Sequence, residues 1–224
     1  FQQFRRVTRW NTQNTLNFNR EFGNHGLDVV GGLEFQQTTV NSIFAQGANF
    51  AGVFFIQDNL ISGQFVTPTS GGTFAQNGFA STFGRLNYSF SDKYLIGMSL
   101  RQDALSNLPE ANRNGTFFGG SVGYRLSEEE FFKNSGVKNI MNDVKIRGSY
   151  AEVGNVEIGF FPYQNQFGAG RYGSQNGASF SQAGNPNLQW ETSKKINVGA
   201  DFGFLDNKIN LVFDYFINDI DGLI

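Results

Sequence analysis

Cysteine is absent from this 224-residue chain, which excludes a disulfide framework and any thiolate metal site. Histidine occurs once, at His25, so neither a histidine-based triad nor a histidine cluster for zinc can be assembled. Charge is scarce: Asp, Glu, Lys and Arg make up 16%, where a soluble domain carries about 25%. The formal net charge is −2, and no basic block is available to neutralise phosphates, which argues against nucleic acid as a partner. No run approaches the roughly 18 apolar residues of a membrane-spanning helix. No basic start followed by an apolar stretch marks a signal peptide.

What is abundant points one way. Phe at 26 copies and Gly at 28, with frequent Asn and Gln, suit strands and turns rather than helices. Period-two alternation predicts about eight strands, at 8–22, 27–37, 79–90, 94–103, 116–126, 144–152, 188–203 and 208–218. One face carries Tyr94, Ile96, Met98 and Leu100, then Trp190, Val198 and Phe202, then Ile209, Leu211, Phe213 and Tyr215. The opposite face carries Arg85, Arg101, Asp103, Arg125, Lys145, Arg147, Glu191, Lys195, Asp201 and Asp214. Four-residue turns at Gly23–Gly26 and Phe204–Asn207 would set Phe18 opposite Gly31 and Val198 opposite Phe213. A slip of one residue would mix apolar and charged side chains, so the pattern fixes the pairing as antiparallel.

Connections alternate short (23–26, 91–93, 204–207) and long (38–78, 104–115, 153–187). The link at 127–143 reads as a small helix, because Ser127 and Glu130 fit a capping box. Tight turns at one end, long loops at the other, strands of about ten residues and an apolar face predict an all-β transmembrane antiparallel barrel. Lipid leaves backbone groups no partner except each other, so a sheet crosses a bilayer only when it closes. Tyr88, Tyr94, Tyr124, Tyr150, Trp190 and Tyr215 are the expected interfacial aromatics. Both chain ends fall at the long-loop end, which in such a barrel is extracellular. The expectation is therefore an internal slice of a larger barrel, an open curved sheet without a plug domain. A sealed eight-strand barrel is also an allowed count, and a soluble β-sandwich or jelly roll shares the alternation.

Four segments resemble the SusC/RagA-like branch of TonB-dependent outer-membrane transporters. They are Phe83-Gly84-Arg85-Leu86-Asn87-Tyr88 with Asp92-Lys93-Tyr94-Leu95 and Ser99-Leu100-Arg101; Gly123-Tyr124-Arg125-Leu126-Ser127-Glu128-Glu129 with Phe132; Asp143-Val144-Lys145-Ile146-Arg147 with Ser149-Tyr150 and Gly154-Asn155; and Asn185-Pro186-Asn187-Leu188-Gln189-Trp190-Glu191-Thr192 with Asn197-Val198-Gly199 and Asp201-Phe202-Gly203. They cover residues 79–224; residues 1–78 agree in general character only. Ala151-Glu152-Val153 departs from the family's Gly-x-Thr, and Tyr124 stands where Trp is frequent. The resemblance implies a barrel of about 22 strands, of which this chain supplies about a third. It also implies TonB-dependent import of an oligosaccharide or oligopeptide across the bacterial outer membrane. The implied partners are outer-membrane lipid, the rest of the barrel and its plug, a SusD-like surface lipoprotein and the TonB complex, with no cofactor.

Other functions find less support in the residues. The triplet Glu128-Glu129-Glu130 passes for a carboxylate cluster but more simply complements a helix dipole. Asp219 with Asp221 is no better than chance as a calcium or glycoside-cleaving pair. An enzyme is disfavoured, and no metal site is expected. A small stand-alone barrel acting as an adhesin or structural protein, or part of a secretion-related barrel, is the alternative class. Loops 38–78 and 153–187 combine aromatics and amides suited to sugar, peptide or lid contact.

Overall fold

A computed structural model describes residues 1–50, 65–155 and 158–222. Eight antiparallel strands form one open sheet in the order β1 (Gln2–Phe22), β2 (His25–Phe50), β3 (Phe65–Phe90), β4 (Tyr94–Leu105), β5 (Asn114–Arg125), β6 (Met141–Asn155), β9 (Glu191–Phe204), β10 (Ile209–Asp221). β1 and β10 are its two edges, so the sheet is a wall and not a sealed cylinder. Between β6 and β9 lies a separate hairpin, β7 (Gln166–Tyr172) and β8 (Gln175–Gln182).

Three expected boundaries move outward by six residues or more, and the others shift by three or fewer, β9 starting at Glu191 instead of 188. β1 begins at Gln2, and β2 and β3 run far into the predicted loop 38–78, whose middle, 51–64, lies outside the described residues. The predicted loop 153–187 contains the β7–β8 hairpin, with residues 156–157 outside the described set. The physical reason is shared. In the β1–β3 extensions apolar residues fall on both parities among polar and glycine residues, as with Ile43 against Val40 and Phe44 in β2, so the period-two signal fades while the backbone ladder continues. Together β1, β2 and β3 project beyond β4, which stops at Leu105 opposite Phe79.

Turn chemistry shifts two registers by two residues. Phe22 pairs with His25 around the two-residue turn Gly23-Asn24, with Gly23 at φ 61°, as a Gly-first hairpin turn requires. His25 thus opens β2 instead of sitting within a turn. Phe204 pairs with Ile209 around a four-residue turn whose Leu205, Asp206 and Asn207 all have positive φ, near 53°, 57° and 60°. Phe18 therefore faces Val29, and Val198 faces Tyr215. A two-residue shift keeps every side chain on its own face, so the predicted faces survive the register error. The short connection at 91–93 matches expectation, with Phe90 paired to Tyr94 across it.

The apolar face is one surface from β1 to β10. Met98, Val122 and Phe213 are 58%, 62% and 58% exposed, so this face rests on no part of the described chain. At the turn end, a single register row carries Phe22, His25, Phe90, Tyr94 and Tyr124. Successive ring centroids along it lie 5.3, 4.9, 6.3 and 5.2 Å apart. The far margin of the face is polar: Thr82, Gln102 and Thr116 share one row, and Glu152, Lys194 and Asp219 share another. Of the expected girdle residues, Tyr88, Tyr94 and Tyr124 lie at the turn end, whereas Tyr150 and Tyr215 lie inside their strands. Trp190 precedes β9; its indole donates to the Arg113 carbonyl (3.3 Å) and meets the Phe117 ring edge-on at 5.5 Å.

β5 and β6 pair over only seven residue pairs, from Gly119–Ala151 to Arg125–Lys145. Above that seam, buried Phe117 occupies the space where a side chain at Gly154 would collide with its ring. Asn112 donates to the Leu188 carbonyl (3.1 Å), tying the β4–β5 loop to the strand entering β9.

The 126–140 connection holds two short 3₁₀ turns and the one-turn helix α1 (Glu130–Lys133). The capping box does not form. Ser127 is buried in a 3₁₀ turn and its hydroxyl donates to Asp143 Oδ1 at 2.9 Å, which removes it from the helix start. Glu129 does other work. Its carboxylate accepts from Lys93 Nζ (3.2 Å) and from the hydroxyls of Tyr94 and Tyr124 (3.1 Å each), fastening α1 beneath β4 and β5. Lys93 first, then the phenol hydroxyls, hold the Glu129 carboxyl below its ordinary range. A lowered folded pKa stabilises above the unfolded value and is lost as pH falls through the folded one. Hydrogen exchange of amides 126–133 should therefore show strong protection at neutral pH that weakens on acidification. Glu129→Gln should start weak and change little, and equal pH profiles for the two proteins would refute the clasp.

Candidate functional surface

The polar face holds all ten charged residues that alternation assigned to it. Arg85 is on β3; Arg101 and Asp103 on β4; Arg125 on β5; Lys145 and Arg147 on β6; Glu191, Lys195 and Asp201 on β9; Asp214 on β10. Ten of the eleven residues assigned to the apolar face occupy it: Tyr94, Ile96, Met98 and Leu100 on β4, Val198 and Phe202 on β9, and Ile209, Leu211, Phe213 and Tyr215 on β10, while Trp190 precedes β9.

Two arginines gather half of the ten polar-face charges, Arg147 with Asp201 and Asp214 and Arg101 with Asp103. Arg147 and Asp214 sit in one row with Gly199 between them. The Arg147 guanidinium lies across that glycine, donating to Asp214 Oδ2 at 2.8 Å, to both Asp201 oxygens at 3.3 Å and to Asn197 Oδ1 at 3.2 Å. Arg101 donates to Asp103 Oδ1 (2.7 Å) and Glu34 Oε2 (3.1 Å), with its guanidinium carbon 5.6 Å from the ring centres of Phe79 and Phe83. Each arginine thus ties together three neighbouring strands. Arg85 stands 3.9 Å from Asp28, and Glu191 accepts from Asn155 at 3.2 Å. Arg125, Lys145 and Lys195 make no side-chain hydrogen bond or ion pair among the described residues.

Between the two arginine clusters the surface is lined by small residues. A concavity of about 560 Å³ runs over Gly97, Ser121, Gly123 and Ser149, bounded by Asp28, Lys145 and Arg147. Glu34 and Gly199 were missed from sequence. The signal for Gly199 was present: a glycine inside an alternating strand marks a close approach. A β-carbon there would stand 2.7 Å from Arg147 Cζ and 2.8 Å from Asp214 Oδ1. No group of three or more metal-ligating side chains exists among the described residues. Glu128 pairs with Lys133 (2.7 Å) and Asp221 with Lys194 (2.6 Å), so the suspected carboxylate groupings are split by ion pairs. Gly199→Val should displace the guanidinium and lower unfolding stability of the full-length protein by about 1–3 kcal/mol. Gly148→Ala, where a β-carbon meets only ordinary contacts at 3.8 Å, should cost much less. Urea titration compares them, and equal effects would show that Gly199 makes no such room.

The family model described as TonB dependent receptor-like, beta-barrel matches residues 1–224. TonB-dependent receptor P3 of Formosa agariphila is 31% identical over 218 residues, covering 96% of this chain and 21% of that protein. TonB-dependent receptor SusC of Bacteroides thetaiotaomicron is 32% identical over 157 residues, covering 66% of this chain and 15% of that protein. The solved structure of the RagAB peptide transporter matches with a TM-score of 0.85 at 24% identity, over 97% of this chain and 24% of that one, a likeness of fold. The chain spans about a fifth of the length of the curated relatives it matches most fully. With its open antiparallel wall and a family match along its whole length, the chain belongs to the TonB-dependent receptor-like β-barrel family.

Proposed function

We propose that this chain is a stretch of wall in a TonB-dependent importer that carries a bulky nutrient, an oligosaccharide or oligopeptide, across the bacterial outer membrane. The observation that carries the reading is the apolar face, bounded by an aromatic row at one margin and by charged and amide rows at the other. Between those rows β4 presents seven residues, Leu95 to Arg101. With its interfacial ends this approaches the about 9–11 residues of a tilted spanning strand. Family membership and relatives named TonB-dependent receptors support energised transport. A peptide transporter among the fold neighbours supports a polymeric cargo.

In this reading the apolar-face residues touch lipid and the ten polar-face charges look into the lumen. The tight turns lie in the periplasm, and the long connections with the β1–β3 projection lie outside. Of the ten, Arg125, Lys145 and Lys195 have no partner among the described residues and can meet a plug or cargo. Exposed Phe167, Tyr172 and Phe180 on the β7–β8 hairpin suit contact with cargo or with a SusD-like lipoprotein lid. The role assigned is transport, not catalysis.

Two measurements test this. Spin labels at Met98 and Leu211 of the full-length protein should be relaxed by oxygen dissolved in lipid, and labels at Ser99 and Ser149 by a water-soluble nickel chelate. The reverse pattern would overturn the membrane assignment. Cells lacking the gene should lose TonB-dependent growth on the polymer while keeping growth on its monomers, and unchanged growth on every polymer tested would overturn the import reading.

A further inference from the structure

Beyond the level where β4 stops, β1, β2 and β3 carry their ladder on alone, over residues 2–10, 37–50 and 65–78. Charge in this projection is one-sided. Its described residues include Arg5, Arg6 and Arg9 and no Asp or Glu, although the whole chain has 19 acidic residues against 17 basic ones. Arg5 and Arg9 share the parity of Gln13, the partner of Glu34, so they stand on the polar face and continue it past the Arg101 cluster. Arg6 stands on the opposite face, its guanidinium carbon 5.6 Å from the Phe4 ring centre. Arg5 makes no side-chain hydrogen bond or ion pair among the described residues, and Arg9 donates only from Nε, to the Thr38 hydroxyl at 3.2 Å.

The ladder sorts this face into rows that cross the three strands. Arg9 lies beside Thr38 and Asn77, and Arg5 beside Ser42 and Thr73, whose hydroxyls meet at 2.6 Å. Between them runs an apolar row of Val7, Val40 and Ala75. Phe44 occupies the row beyond Arg5, and a β-carbon on its partner Gly71 would stand 2.6 Å from the ring, so the absent side chain lets the ring lie across β3. Four residues separate the two arginines, about 14 Å along a strand. A planar guanidinium takes anionic oxygens through paired N–H bonds. Hydroxyls and an amide beside it match sugar hydroxyls, and an aromatic ring covers the apolar side of a sugar. At the centre β2 spends its backbone groups on β1 and β3, so this face offers no main-chain edge of the kind that captures an extended peptide.

We propose that this face of the projection captures an acidic polysaccharide at the barrel mouth, Arg5 and Arg9 each holding an anionic substituent. The inference rests on the import reading above and deepens it by naming the cargo's charge: a glycan bearing carboxylate or sulfate groups along its chain. The Thr38 and Ser42 rows take hydroxyls, the valine row lets the chain pass between the two cations, and the Phe44 ring supports one sugar. Deeper on the same face Arg101 is already neutralised by Glu34 and Asp103. The uncompensated charge therefore stands at the rim, where it raises the local concentration of a polyanion before entry.

The test is calorimetric titration of the full-length receptor in phosphatidylcholine nanodiscs with hexagalacturonate, a dextran sulfate hexasaccharide and neutral maltohexaose. At least one acidic probe should bind about ten-fold tighter than maltohexaose, and the tighter of the two tells carboxylate from sulfate. Arg5→Gln and Arg9→Gln should each weaken that probe about ten-fold. Arg6→Gln removes the same charge from the opposite face and should leave binding unchanged. All three side chains are exposed, so the substitutions leave the ladder intact. Acidic probes bound no tighter than maltohexaose overturn the proposal. An equal loss in Arg6→Gln would mark net charge alone and overturn it too. Hexaglutamate bound as tightly as the acidic sugar, and lost in the same variants, would mark an acidic-peptide surface and overturn the saccharide assignment. Binding is read on the purified receptor and import on growth, so the two readings fail separately. Any of these failures with TonB-dependent growth on a polymer intact leaves the import reading standing.

Discussion

Each strand inside this sheet turns its backbone N–H and C=O groups to its neighbours, the edge strands β1 and β10 doing so on one side, and in an apolar medium no other partner exists. That requirement fixes more than the ladder. Antiparallel pairing puts paired residues on the same face, so once one strand is oriented all eight are. The aromatic row from Phe22 to Tyr124 and the polar row through Thr82, Gln102 and Thr116 are consequences of this parity. Neither row is visible in any one strand. Each consists of residues far apart in sequence that the ladder brings side by side.

On the opposite face the same ladder decides which charges meet. Arg147 reaches Asp214 across β9 because the residue between them is Gly199, and Arg101 reaches Glu34 across β3. Arginine suits these posts: its planar fork can bond several acceptors while staying charged. Both clusters are partly exposed, so their contribution is cross-strand positioning more than bulk stability. The small side chains between them leave the concave surface open.

Much of this was legible in advance, and the failures have physical causes. Alternation gave the strands and both faces because one face is apolar and the other charged, a contrast that fails where both faces are polar, as at Gln36-Gln37-Thr38-Thr39, or where both carry apolar residues, as at Val40, Ile43 and Phe44. There β2 continues unseen. Register was misjudged by two residues at Gly23 and Leu205, because turn length depends on backbone angles that composition only hints at. The Ser127–Glu130 capping box was a local pattern defeated by a tertiary partner, Asp143. The charged faces could be listed from sequence, but their pairing required knowing that Glu34 and Arg101, 67 residues apart, lie diagonally on the sheet. The family resemblance rested on residues 79–224, whereas the family match extends over the projection as well.

The short β5–β6 seam divides the wall into two unequal panels. β1 to β5 form one, β6 with β9 and β10 the other, and seven residue pairs join them where β2 and β3 are joined along nearly their whole length. Lateral strength in a hydrogen-bonded sheet scales with rungs acting together. Beyond Gly119 the joint therefore relies on the Phe117 ring seated over Gly154 and beside Trp190, a packed contact that tolerates sliding where a ladder does not. The wall is stiff along its strands and within each panel, and its compliance is concentrated at one line near the long-loop rim. Any widening of that rim would begin there.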